Sequence, residues 1–306
     1  MKKWILLIAC LLIVCLTCVY VFIPSEIKIT TFVDAKTTRD GAFRVISSKQ
    51  TWPKWLKTNT SNLDRNDLTF TPTGAGNYNT QIIIADKKNS VQSNINVLQL
   101  NDDSIIVNWQ CALEKSTNPF EKIQQYFFAV NLKKNMDSAL ASLKIFIQND
   151  KNIYGIDIRR ERVKDSFMIT TKQLFTQQPN MKDVYKLVDV LKNYAAKNNC
   201  IETNVPMLNI LHDSDRYRIM VALPVNKQVP TLSTISSIKM VDGNFMVTQV
   251  QGGLATVQNA LDQLQFYVAD YNKTSMAITF QYLVTNRLQE ADTTKWITKI
   301  YAPVLQ

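Results

Sequence analysis

The sequence predicts an α+β chain in three parts: an N-terminal apolar helix (residues 1–25), a first domain of strands closed by one long helix (26–150), and a second domain of two β-α-β-β repeats (151–306). Three observations carry this reading. No charged residue occurs between Trp4 and Ile23. From Glu26 to Asn131 short alternating apolar and polar segments follow one another, after which Met136, Leu140, Leu143 and Ile147 switch to helical spacing. Beyond residue 150 one order of elements occurs twice. With 306 residues, 46% of them hydrophobic, the chain is long enough to bury two cores.

The uncharged N-terminal run of about twenty residues, at about 1.5 Å per residue, has the length of a bilayer's hydrocarbon core, about 30 Å. It predicts a transmembrane helix and a lipid-bilayer partner. Pro24-Ser25-Glu26 lacks the small-residue pattern of a signal-peptide cleavage site, so the helix is expected to be retained. Lys2, Lys3 and the α-amino group before the span favour an inside N-terminus. The expectation is a single-pass protein of the cell membrane with the rest of the chain on the outer, periplasmic or extracytoplasmic side.

In the first domain, Glu26–Val33 alternates as a strand, Ala42–Ile46 is helical in pattern, and Trp52-Pro53-Lys54-Trp55 follows. Strands are predicted at Thr80–Ala85, Ser93–Leu100, Ser104–Cys111 and Gln124–Asn131, then a helix that presents Met136, Leu140, Leu143 and Ile147 on one face. This order, with the Trp52 to Trp55 segment, the Val107-Asn108-Trp109 strand and the Leu140 to Lys144 helix, resembles the START-like or polyketide-cyclase (SRPBCC) superfamily. The resemblance implies a helix-grip fold around an apolar cavity that holds hydrophobic molecules, with Trp109 among its ligand contacts.

In the second domain, a strand at Ser166–Phe175 leads to a helix from Met181 with Val184, Leu187, Val188 and Leu191 on one face, then strands at Met207–Leu211 and Tyr217–Val225. The order repeats as a strand at Asn244–Gln251, a helix with Leu254, Val257, Leu261, Leu264 and Val268 on one face, and strands at Ala277–Thr285 and Trp296–Val304. From helix start to the next strand is about 25 residues in both copies. The closing stretch, with the turn Thr285-Asn286-Arg287, Asp292, and Thr298-Lys299-Ile300-Tyr301-Ala302-Pro303-Val304, resembles the end of the GyrI-like, or transcription-activator effector-binding, family. There an acidic residue two positions before a tyrosine lies at the floor of a ligand pocket. The resemblance places Gln281 at the acidic position and Leu283 at the tyrosine, and Gln281, Leu283 and Tyr301 become the expected ligand contacts. Gly252-Gly253 stands where the family has a His-Gly-x-Tyr-like turn.

Several function classes drop out. The formal charge is +10, from 35 basic and 25 acidic side chains, but the basic residues are spread along the chain without helix-turn-helix, zinc-finger spacing or aromatic RNA-binding stripe, and nucleic acid is not expected as a partner. His212, the one histidine, sits in the turn-like Leu211 to Asp215 and rules out a His-rich metal site. Cys111 and Cys200, outside the N-terminal run, form no CxxC or other ligand spacing. Gly74-Ala75-Gly76 lacks the later glycine of a dinucleotide site. Neither catalytic residues, metal nor cofactor are expected. Glutamine can neither carry charge nor take a proton in this pH range, so a cation sensor and a carboxylate-dependent hydrolase are disfavoured at Gln281. The expected function is non-catalytic binding of hydrophobic or amphiphilic small molecules. The alternatives are a small-molecule hydrolase of the GyrI-like type and an interaction protein whose cavities are closed.

Overall fold

The computed structural model describes residues 2–56, 63–163, 166–213, 215–240, 242–275 and 277–305, and the chain divides into two compact units, Met1–Asn149 and Asp150–Gln306. The class is α+β.

In the first unit α1 (Lys2–Phe22) precedes β1 (Lys28–Ala35), α2 (Arg39–Ser47), α3 (Trp52–Leu56), β2 (Asp64–Arg65), β3 (Leu68–Gly76), β4 (Asn79–Ala85), β5 (Ser90–Asn101), β6 (Ser104–Ala112) and α4 (Pro119–Ile147). The strands form one antiparallel sheet in the order β1-β6-β5-β4-β3-β2, so that the first strand pairs with the last, from Lys28 opposite Ala112 to Ala35 opposite Ile105. Ile105, Val107 and Trp109 of β6 and Ile82 and Ile84 of β4 are buried by period-2 alternation. α4 lies against β1 and buries Leu132, Met136, Ala139, Leu140, Leu143 and Ile147.

Two expectations for this unit are corrected. Gln124–Asn131 is helical, because Asn118 caps the Phe120 N–H, Pro119 occupies the first turn, and the helix runs on from there to Ile147. Its aromatic residues misled the strand prediction: Phe120, Tyr126 and Phe127 are exposed, so no buried face imposes a visible helical period. The N-terminal anchor is the second correction. Among the described residues no helix is long and apolar enough to cross a membrane. This overturns the single-pass placement in the cell membrane, with its outer-side topology and bilayer partner. The side chains of Lys2, Ile5 and Ala9 lie outside the described residues. Near its end α1 is engaged by protein instead: the Tyr20 hydroxyl donates to the Thr117 carbonyl (2.7 Å), and Lys122 Nζ lies 4.9 Å from the Tyr20 ring centroid.

The second unit comprises α5 (Asp150–Tyr154), β7 (Arg159–Val163), β8 (Ser166–Phe175), α6 (Met181–Lys197), β9 (Met207–Asp213), β10 (Arg216–Val225), β11 (Ile235–Met240), β12 (Gly243–Gln251), α7 (Leu254–Asp270), β13 (Phe280–Leu283) and β14 (Ile297–Val304). Its antiparallel sheet runs β11-β8-β10-β9-β13-β14-β12-β7. Matching β8, α6, β9, β10 with β12, α7, β13, β14, the inner six strands read the same from either end, which makes the repeat a pseudo-twofold about the β9–β13 seam. At the outside each half lends a strand to the other. β7 pairs with β12 and β11 with β8, and the register is unbroken between them, from Arg159 opposite Val247 and Val163 opposite Gly243 to Ser166 opposite Met240 and Thr171 opposite Ile235.

Both helices pack on one face of this sheet. Val184, Val188 and Leu191 of α6 pack on Ile169, Ile219, Val221 and Leu223 of the sheet; Val257, Ala260 and Leu264 of α7 pack on Met246, Ile300 and Ala302. α6 begins with a reciprocal capping box between Asn180 and Asp183. Gly253 caps α7 and follows Gly252, whose φ is 147° and where a Cβ would stand 2.5 Å from Thr256 Oγ1, leaving no room for a larger residue. The turn Thr285-Asn286-Arg287 is clipped to α6: the Tyr185 hydroxyl accepts from the Arg287 N–H (2.9 Å) and donates to the Thr285 carbonyl (3.4 Å). The buried Arg287 guanidinium donates to Thr298 Oγ1 (2.7 Å) and lies 5.1 Å from the Trp296 ring.

α5 closes the far side of α7 through two tyrosine–carboxylate bonds, Tyr154 to Asp270 (2.7 Å) and Tyr271 to Asp150 (2.8 Å). Burial raises the Asp150 carboxyl above its ordinary value, and the Tyr271 bond offsets this only in part. An acid raised on folding costs stability above its folded pKa, and the cost vanishes as pH falls through that value to the unfolded one. Asp150→Asn keeps an acceptor for Tyr271 and should therefore melt higher than the parent at pH 7, the gap closing as pH drops through the carboxylate range. Equal melting temperatures at pH 7 would mean that folding costs this carboxylate none of its solvation.

Candidate functional site

The helix-free face of the second unit's sheet carries the candidate site. Period-2 alternation turns Met168, Met207 and Ala222 of the first half, and Phe245, Val247, Phe280, Tyr282 and Tyr301 of the second, into one buried cluster on this face. The aromatic half is tightly ordered: Phe280 and Tyr301 stack within 2° at 5.4 Å, and Tyr282 meets Tyr301 edge-on at 5.1 Å. Beside it opens a cavity of about 380 Å³, walled by Met168, Met207, Met220, Met240, Ile238, Ala222, Phe245 and Phe280. Polar groups are few and peripheral. Asp242 at the rim is held by Arg162, with Nε at 2.9 Å and Nη2 at 2.7 Å.

Behind the aromatic wall Glu161 of β7 accepts from the Tyr301 hydroxyl (3.0 Å) and from Arg159 Nε (2.6 Å). Burial and this bond to the carboxylate push the Tyr301 phenol well above its ordinary value, and burial raises Tyr282. Both are neutral hydroxyls at physiological pH. Glu161, Tyr301 and Tyr282 are not part of the cavity wall.

The sequence-expected contacts separate. Tyr301 belongs to the helix-free cluster. Gln281 and Leu283 alternate to the helix-bearing face: Leu283 packs in the core beneath α6, and Gln281 opens into a cleft of about 440 Å³ beside α7. The two residues on β13 that face the cluster are Phe280 and Tyr282. Trp109 is fully buried in the first unit, its Nε1 donating to Ser93 Oγ (3.0 Å) and its ring set against Trp52 and Phe70 at 6.4 and 5.7 Å. Met168, Met207, Met220 and Met240 were missed, although three of them sit at alternating positions of predicted strands; methionine in an apolar strand carries no signal that separates a cavity wall from a core.

Other sequence candidates stay structural. His212 stacks on Tyr217 at 4.3 Å across the β9–β10 hairpin, whose tip residue Ser214 lies outside the described residues. Cys111 is buried, with its thiol pushed up to about 11, and Cys200 is half-buried; both are free. Among the described residues no group of three His, Cys, Asp or Glu side chains could hold a metal.

No family model matches the chain, and no curated protein matches it. Solved structures similar to it include the EcmrR–DNA complex in EcmrR-RPo, at 14% identity and a TM-score of 0.45 over 61% of this chain and 72% of that one. A hydrolase encoded by lin2189 from Listeria innocua is similar at 12% identity and a TM-score of 0.37, over 49% of this chain and 92% of that one. SAV2435 bound to tetraphenylphosphonium is similar at 12% identity and a TM-score of 0.34, over 49% and 94%. At such scores these likenesses carry no argument about what the present chain binds or does.

Proposed function

We propose that the second unit is a GyrI-like binding domain that holds a hydrophobic or amphiphilic small molecule, without chemistry of its own, in the cavity on the helix-free face of its sheet. The observation that carries this is the wall: four methionines, Ile238, Phe245 and Phe280 around about 380 Å³. That volume lies in the range of small-molecule pockets, and unbranched methionine side chains adapt to ligands of irregular shape. The GyrI-like assignment rests on the two β-α-β-β halves and their closing signature. The first unit fits a START-like reading by its order of strand, two short helices, strands and one long helix, with Trp109 as a packing residue of its core.

The hydrolase reading needs an acid turned into the cavity. Asp242 at the rim is paired with Arg162, and Glu161 is taken up by Tyr301 and Arg159, so neither favours it. A closed-cavity interaction protein is disfavoured by the cavity itself. Titration with the apolar fluorophore N-phenyl-1-naphthylamine, beside native mass spectrometry for a co-purifying molecule, tests the proposal. Saturable binding of one fluorophore per chain is expected. A signal that never saturates, with no bound mass, would sink it.

A further inference from the structure

Arg287 carries a charge that the second unit leaves without a counter-ion. It is only 4% exposed and lies over Thr298 of β14, on the helix-bearing face of the sheet. Thr298 pairs with Leu283 of the α6 core on one side and with Val250, packed on the α7 core, on the other, so the guanidinium sits where the two cores meet. Its partners are neutral. Nη2 donates to Thr298 Oγ1 (2.7 Å), Nη1 reaches only the thioether of Met181 (3.6 Å), a weak acceptor, and the Trp296 ring lies 5.1 Å from the guanidinium carbon. Nε is buried and has no hydrogen-bond partner among the described residues. Burial lowers the arginine's pKa from its ordinary value, and no carboxylate acts to raise it. On β12, Thr248 is a diagonal neighbour of Thr298 on the same face; it is 1% exposed, and its hydroxyl is unpartnered as well. A charge taken out of water is costly unless paired, and buried donors are nearly always met.

We propose that Arg287, with the hydroxyls of Thr298 and Thr248, forms a binding site for a small monovalent anion of halide or nitrate size, seated on the Nε edge of the guanidinium. Thr298 Oγ1 accepts from Arg287 and keeps its own hydrogen to give, so three donors converge where the charge is unmet. One positive charge matches one negative charge; a doubly charged sulfate or phosphate would leave the interior with an excess of the opposite sign. The site lies on the opposite face of the sheet from the methionine-walled cavity and does not depend on it.

Trp296, buried beside the guanidinium, is the reporter. Iodide added to the full chain, with ionic strength held constant by gluconate, is expected to quench its fluorescence in a saturable step. Trp296→Phe should remove that step and leave the linear, collisional quenching of the exposed Trp4. Replacing gluconate by chloride at about 200 mM should raise the second unit's melting temperature by about 3 °C, because an ion that binds only the folded state stabilises it. Arg287→Met, which removes the charge, should melt at the same temperature in both salts. Strictly linear iodide quenching in the parent, or a chloride shift that Arg287→Met retains, overturns the site. If Arg287→Met does not fold, the quenching of Trp296 decides alone.

Discussion

Trp109→Ala is expected to unfold the first unit's core and leave the second untouched. The indole is fully buried, packs against Trp52 and Phe70, and spends its one donor on Ser93 Oγ, which in turn donates to the Ile82 carbonyl (3.0 Å). Truncating a buried tryptophan to alanine costs about 3–5 kcal/mol, a large share of the roughly 5–15 kcal/mol that holds an ordinary domain together. Denaturant titration of the intact chain should split into two transitions, the earlier one moved far to lower denaturant and the later one fixed. Trp109→Phe should recover most of the loss, falling short because Ser93 Oγ keeps its acceptor but loses its donor. Were Trp109 a ligand contact on an open cavity, both variants would fold and lose only affinity.

Ala222→Trp should abolish binding in the second unit, with fluorophore affinity falling at least a hundredfold. Ala222 lies on the cavity wall between Met168 and Met207 in the helix-free cluster, so an indole built there projects into open space. Enlarging a side chain normally strains a packed interior by about 1–3 kcal/mol, but a ready void removes most of that cost. Melting temperature should therefore hold or rise while the isotherm flattens. A variant that folds and still binds the fluorophore with parental affinity would place the ligand elsewhere on the chain.

Where burial imposed a period, the fold was legible from the residues. Val184, Leu187, Val188 and Leu191 repeat at three and four because α6 has one face turned to a core, and Ile82 and Ile84 alternate along β4 for the same reason. β7, reading Arg-Arg-Glu-Arg-Val, has no such signature: it is an edge strand whose outer face is solvent, and its side chains are charged. β3 escaped because Pro72 and Gly74 flank a register shift that breaks its alternation. The sequence-expected contacts fall on both faces of the sheet. Tyr301 lies in the helix-free cluster and Gln281 on the helix-bearing face, because one step along a strand exchanges the two faces of a sheet. In a four-residue strand buried on both sides, Phe280 to Leu283, no exposed position exists to fix the phase.

The exchanged outer strands say something about how the second unit came to be. A lone β-α-β-β segment with its preceding strand would have that strand reaching past its own sheet, unpaired, until a second copy supplied the complement. Two such chains would lock as a symmetric pair, each lending an arm to the other. The reciprocal pairing of residues 159–163 with 243–247 and of 166–171 with 235–240 is the arrangement such a pair would keep if its chains were joined end to end, with the pseudo-twofold at the β9–β13 seam.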